Sequence, residues 1–339
     1  MKNQPVHILR AFIIVTVVSL TAEGLATGAH ALQGGSLGDD ALPVPVDVGI
    51  FVIDVSEVDD ASQAFRVDFH LSARWHDEQL ADPDSKRIRR LALSDVWHPQ
   101  LGIRNRRNVE LLFPMEVEVD RDGNAHYRQR ISGELSARLD LRDFPFDRQV
   151  LPIEVVSLRY GPEEVSLEVD AERTGSLDRF TLPGWDVALG EARTSNVQLA
   201  AQGRALSQIE LLIHVTRRAA YYRWTMLAPL VLLVLMAWSV FWIDPSLLPS
   251  QLAVSTASVF ALIAFRLSMR DLLPPVPYMT RGDVFLLGCT LLVFSAFGQA
   301  VLTGRLAKGG RESLARTLDR WSRWIYLAAF GLLYWLTVS

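Results

Sequence analysis

Pro249-Ser-Gln-Leu-Ala-Val-Ser-Thr-Ala-Ser-Val-Phe-Ala-Leu-Ile-Ala-Phe-Arg-Leu-Ser268 is the second of four apolar stretches that follow Tyr221. About 20 mostly apolar residues suffice to cross the ~30 Å hydrocarbon core of a bilayer. This stretch nevertheless carries hydroxyls and Arg266. A lipid-facing helix gains nothing from them, and an arginine in hydrocarbon is costly. A helix that lines water, or packs among other helices, can use them. Ala253, Ala257, Phe260, Ala264 and Leu267 fall at steps of four, three, four and three, which makes one helical stripe. Taken alone, that stripe suits a bundle core as well as a water-lined axis.

The flanking stretches define a membrane domain over 221–339, with helices expected at about 222–243, 249–269, 283–302 and 321–338. Pro229 removes a backbone donor inside the first and predicts a bend there. Between the third and fourth lie Arg305, Lys308, Arg311, Arg316, Arg320 and Arg323 against Glu312 and Asp319. Short basic loops mark the cytoplasmic side. Four spans then place both the N-terminal domain and the C-terminus outside. Residues 1–31 predict the same topology, because Lys2 and Arg10 precede the apolar run Ala11–Leu20 and Ala29-His30-Ala31 reads as a secretory cleavage site. A multi-pass membrane protein is expected, with an exported (periplasmic or extracellular) domain over 32–220.

That exported domain alternates apolar and polar residues at Val44, Val46 and Val48 and again over Phe65–Leu71, with turn signals such as Asp82-Pro83-Asp84 and Arg121-Asp122-Gly123-Asn124. Many short strands so punctuated predict an all-β sandwich. The one cysteine of the chain, Cys289, lies in the third apolar stretch, so the sandwich rests on its own core without disulfides or thiolate metal sites. No Gly-x-Ser-x-Gly elbow, His-Glu-x-x-His helix or phosphate-binding glycine loop occurs, which argues against an enzyme. No metal, cofactor or nucleic-acid partner is expected.

The ordered set Trp75-His76-Asp77, Trp97-His98-Pro99, Phe144-Pro145-Phe146-Asp147 with Gln149, Arg218, Trp238-Ser239-Val240-Phe241-Trp242 and Leu273-Pro274-Pro275-Val276-Pro277-Tyr278 resembles the pentameric ligand-gated ion channels, especially their bacterial members. The resemblance covers nearly the whole chain after residue 31. It departs where animal members carry two bonded cysteines, here Ala137 and Leu151, as bacterial members also do. Packing of Phe144 and Phe146, with a cis Phe144–Pro145 bond, is expected to hold the loop instead.

The resemblance implies a homopentamer around a central pore, gated by a small-molecule agonist or by protons and passing inorganic ions. Ala253, Ala257, Phe260, Ala264 and Leu267 would line that pore, with Phe260 an apolar constriction and Asp271 an outer acidic ring. Between Leu32 and Ala220 stand 32 acidic and 22 basic residues, a balance that favours cations at the entrance. The coupling residues implied are Asp59, Phe144, Pro145, Phe146, Asp147, Arg218, Pro277 and Tyr278. Two carboxylates around one arginine would make charge-assisted hydrogen bonds there. The agonist positions fall on His70, Arg104, Leu158 and Tyr160, with Tyr127 and Trp185 lining the pocket or filling the core. An aromatic cage for an amine is incomplete on that set. His70, His76, His98 and His126 offer titration instead. The alternative is a non-conducting, membrane-anchored periplasmic solute sensor, which would call for a sizeable cytoplasmic output domain.

Overall fold

The computed structural model describes residues 42–199, 203–270 and 276–338. The expected signal segment, Asp271 and part of the Leu273–Tyr278 motif lie outside them.

Among the described residues, twelve strands precede four long helices. β1 (Val44–Asp59), β2 (Ala64–His76), β3 (Arg89–Ala92), β4 (Leu101–Ile103), β5 (Arg106–Leu111) and β6 (Glu116–Val119) come first. They are followed by β7 (Asn124–Ser136), β8 (Arg148–Ser157), β9 (Val165–Val169), β10 (Gly175–Ser176), β11 (Trp185–Leu199) and β12 (Arg204–Arg217). One sheet runs β10-β1-β2-β7-β6-β3, with β9 also on β1 and β5 also on β7; the facing sheet runs β11-β12-β8-β4. The period of two is visible in burial. Phe65, Val67, Phe69, Leu71, Ala73 and Trp75 of β2 point inward, opposite Ile153, Ile209, Leu211 and Ile213 from the other sheet. Each fully buried large apolar side chain of this kind contributes roughly 1.5–3 kcal/mol. The core does without a disulfide, since the described residues hold one cysteine, Cys289, buried in the helical region.

β12 leads into α1 (Ala220–Trp242), followed by α2 (Leu248–Ser268), α3 (Arg281–Lys308) and α4 (Glu312–Val338). The bend expected at Pro229 is a π turn over Arg223–Leu227, one turn before the proline ring, where the missing N–H leaves the i−4 carbonyl without its partner. α3 opens on a capping box in which Thr280 Oγ1 accepts from the Asp283 N–H at 3.1 Å and the Asp283 carboxylate accepts from the Thr280 N–H at 3.0 Å.

Two features of the helical region differ from the sequence-based expectation. The basic connection is not a long loop. α3 and α4 run beyond 283–302 and 321–338 until only Gly309-Gly310-Arg311 separates them, and Gly310 takes a φ of +76° that suits glycine. Further, α1, α2 and α3 are long and apolar enough to cross a membrane, whereas α4 is not by that measure. Arg316, Asp319, Arg320 and Arg323 occupy its first half, and its second half relies on Trp, Tyr and Leu. α2 and α3 approach closely at Gly304, where a Cβ would collide with Leu248.

Candidate functional site

α2 sorts its residues by face. Ala253, Ala257, Phe260, Ala264 and Leu267 are all exposed on the single chain, Phe260 at 67% and Leu267 at 69%. At 100° per residue they share an arc of roughly 80°. Gln251, Ser255, Ser258 and Leu262 occupy the opposite side and are buried. The hydroxyls are therefore divided in a way the sequence did not reveal. Ser255 Oγ donates to the Gln251 carbonyl at 2.8 Å and Ser258 Oγ to the Val254 carbonyl at 2.9 Å. These two serve helix packing, through bonds to the preceding turn. Arg266 is exposed near the end of the helix, away from the stripe and on the same side as Ser255.

The foot of the sandwich meets the helices through the segment between β7 and β8. Its two phenylalanines part company: Phe144 is fully buried in the sandwich core, and Phe146 packs against the helical core. The Phe144–Pro145 bond is cis. The segment also grips the chain before α3. The Tyr278 hydroxyl accepts from the Leu141 N–H at 3.0 Å, the Gly282 N–H donates to the Phe144 carbonyl at 3.0 Å, and Arg281 pairs with Asp143 at 2.9 Å. Pro277 itself is exposed. In place of a disulfide between Ala137 and Leu151, both buried and apolar, Gln149 ties the segment. Its side-chain amide donates to the Asp140 carbonyl at 2.7 Å and to Asp147 at 2.6 Å, and accepts from the Asp140 N–H at 3.0 Å.

At the centre stands Arg217. Its Nε donates to Asp147 Oδ1 at 2.8 Å, and its Nη2 reaches both Asp60 oxygens at 2.8 Å. The guanidinium lies 4.1 Å from the Trp185 ring centroid and 5.0 Å from that of Phe144. Arg217 and Asp147 are 6% and 1% exposed, so neither charge has water to fall back on. Burial opposes the Arg217 charge, but its hydrogen bonds to Asp147 and Asp60 outweigh that and raise its pKa. Burial likewise raises Asp60, and Arg217 offsets part of that effect.

Of the three charges expected to meet, the structure brings Asp147 to the joint, with Arg217 and Asp60 in place of Arg218 and Asp59. Arg218 does not reach Asp147; it pairs with Asp186 at 2.6 Å, and both side chains are more than 60% exposed. Asp59 caps a turn instead, accepting from the Ala61 and Ser62 N–H groups at 2.9 and 3.1 Å. Position 217 extends the inward series Ile209, Ile213 and Val215 of β12, a signal present in the sequence. No such signal existed for Asp60, because irregularities in the β1–β2 pairing between Val52 and Asp54 and between Val55 and Glu57 reset the alternation.

The agonist positions do not converge within one chain. His70 packs on Phe113 at 5.5 Å, Arg104 pairs with Glu154 at 2.6 Å, and Leu158 is exposed against Gly102. Tyr160 stacks on Trp97, which meets Trp75 in turn, at 5.7 and 6.2 Å. Tyr127 lines the sandwich interior. Trp185 is buried in the sandwich core beneath Arg217, because β11 starts opposite Arg217. Among the described residues no group of His, Cys, Asp and Glu is arranged to hold a metal.

Residues 36–219, more than half of the chain, match the neurotransmitter-gated ion-channel ligand binding domain. The chain is 28% identical over 293 residues to a proton-gated ion channel of Gloeobacter violaceus, covering 86% of this chain and 81% of that one. It is 25% identical over 271 residues to the glycine receptor subunit beta of Homo sapiens, covering 75% and 54% of the two chains. With a gamma-aminobutyric acid receptor subunit beta of Caenorhabditis elegans the identity is 26% over 275 residues, covering 76% and 48%. The chain spans about half the length of these two receptor subunits. A sandwich clamped by a buried charge joint onto apolar helices, together with these matches, leads to one conclusion: the chain belongs to the neurotransmitter-gated ion-channel family, within the Cys-loop superfamily, and is a ligand-gated ion channel and not an enzyme.

Proposed function

We propose that five copies of this chain surround a pore lined by α2, that Phe260 forms its gate, and that protons open it to cations in a bacterial inner membrane. The observation that carries the reading is the open stripe on α2: small residues at 253, 257 and 264 and large apolar ones at 260 and 267, all exposed among the described residues. A ring of Phe260 side chains makes a constriction that loses its water when narrow and regains it when the helices tilt. α4 completes the span count as the helix on the outside of the bundle.

Two observations favour protons over an amine. The positions that would cage a cation carry His70, Arg104 and Leu158, and they do not come together. The relative covered over 81% of its length is proton-gated by name. The excess of acidic residues in the exported domain draws cations towards the mouth. Opening is carried by the Arg217–Asp147–Asp60 joint and by the grip of Leu141 and Phe144 on the segment before α3. A relay without conduction would leave the apolar stripe with nothing to gate.

The test is current across planar bilayers holding purified protein, in asymmetric salt, as the outer pH is stepped down. Wild type should conduct on acidification, with a reversal potential on the cation side. Phe260→Ala should leave assembly intact, because the side chain is exposed in the chain, and should raise the resting current several-fold. Resting and activated currents equal to wild type would remove Phe260 as the gate.

A further inference from the structure

His98 sits between two buried anchors. Trp97 is stacked with Trp75 and Tyr160, and the Pro99 carbonyl accepts from Ser157 Oγ at 2.8 Å. The half-buried imidazole faces a cavity of about 160 Å³ inside the sandwich, walled by Leu101, Ile103, Leu111, Met115 and Tyr127 among others. Its Nδ1 accepts from the Gln100 backbone N–H at 3.3 Å, and its Nε2 is 2.9 Å from the Gln100 side-chain amide. A ring nitrogen that accepts a backbone N–H carries no proton, so this geometry selects the neutral ring.

The turn so held is strained. Gln100 has a φ of +51°, a region that side-chain-bearing residues rarely adopt. Two hydrogen bonds keep it there: its N–H to His98, and its carbonyl from the Leu158 N–H at 3.0 Å. Leu71 and Trp75 from β2, Leu93, β4, Met115 and Ile131 bring no charge to the cavity. Arg106 from β5 is the charged group lining it, Tyr127 and Gln129 from β7 are the other polar ones, and no carboxylate is among the lining residues. Burial without a counter-ion holds the imidazole below its ordinary pKa.

We infer that His98 is a proton-binding site that biases the gate. This rests on the reading that protons open the channel. A proton taken from solvent onto Nδ1 turns that nitrogen into a donor facing the Gln100 N–H. The hydrogen bond is lost, the left-handed turn relaxes, and β4 shifts where Leu101 and Gly102 pair with Ser157 and Val156 of β8. β8 is the lever. Its ten residues span roughly 33 Å and end beside Asp147 and Gln149 at the joint. β12, paired along it, ends at Arg217. A movement at His98 thus reaches the membrane-facing charges through one hydrogen-bonded ladder.

The experiment compares wild type, His98→Gln, His98→Ala and Gln100→Gly, each checked for assembly by size exclusion, by acid-step currents and by tryptophan emission against pH. Glutamine keeps a neutral acceptor, so acid activation should shift by a pH unit or more towards acid, or vanish. Alanine removes the bond at every pH and should open the channel near neutrality. Glycine relieves the strain at position 100 and should demand more acid, and it tests the idea even where a His98 variant does not assemble. Emission from Trp97 should fall below about pH 6.5 in wild type as the adjacent imidazolium forms, and this step should be absent in His98→Gln. Acid activation in His98→Gln equal to wild type, or an emission titration that ignores the substitution, overturns the proposal and leaves proton gating standing. A wild type that conducts regardless of pH overturns both.

Discussion

The foot of the sandwich and its waist treat buried polarity in opposite ways. At the foot, Arg217 satisfies two carboxylates, stacks on two rings and is backed by Gln149, so the charges are closed on one another. At the waist, His98 holds a strained turn with one hydrogen bond to its backbone N–H, and the indole nitrogens of Trp75 and Trp97 are buried without a partner. A closed network resists a change of pH and transmits force. A half-satisfied one changes state when a single proton arrives. The division suits a sensor placed far from the element it moves.

Removing the centre of the foot should have the largest effect. Arg217→Ala leaves the buried Asp147 and the partly buried Asp60 without their counter-charge, and breaking such a pair costs about 3–5 kcal/mol. Thermal melts of the solubilised protein should fall steeply and acid-evoked current should disappear. A melt near wild type would mean that the joint is wetter than the geometry implies. Gln149→Leu should cost about 1–3 kcal/mol, because the Asp140 N–H and carbonyl lose their partner while the packing volume is kept. Its melt should lie between those of wild type and Arg217→Ala, with acid-evoked current reduced but present; a variant as stable as wild type would show that Phe144 alone holds the segment. Arg218→Ala should change melts and currents least, since its pair with Asp186 lies in solvent. Loss of gating there would return the coupling role to position 218 and undo the contrast with its neighbour.

That contrast also marks where reading the chain stops. Alternation in β1 and β2 identified the sandwich, and the same period in β12, followed through Ile213 and Val215, points at Arg217. The stripe from Ala253 to Leu267 was readable because a straight helix repeats without error, and the same residues stand open in the structure. Asp60 was hidden by the irregular pairing of β1, and Trp185 by a strand start that sets it under an arginine 32 positions later. The extent of α3 and α4 was missed because basic residues that read as a loop instead cover the ends of two helices.

By itself the sequence determined the sandwich, the apolar stretches, the stripe on α2 and the family, because period, length and sign of charge are local properties of a chain. Only the tertiary structure decided which of two adjacent arginines and two adjacent aspartates meet, which serines pack inward, and that His98 holds a strained turn at the head of β8. Those choices depend on bulges, strand offsets and the approach of residues far apart in sequence, where a shift of one position exchanges the inside of a strand for its outside.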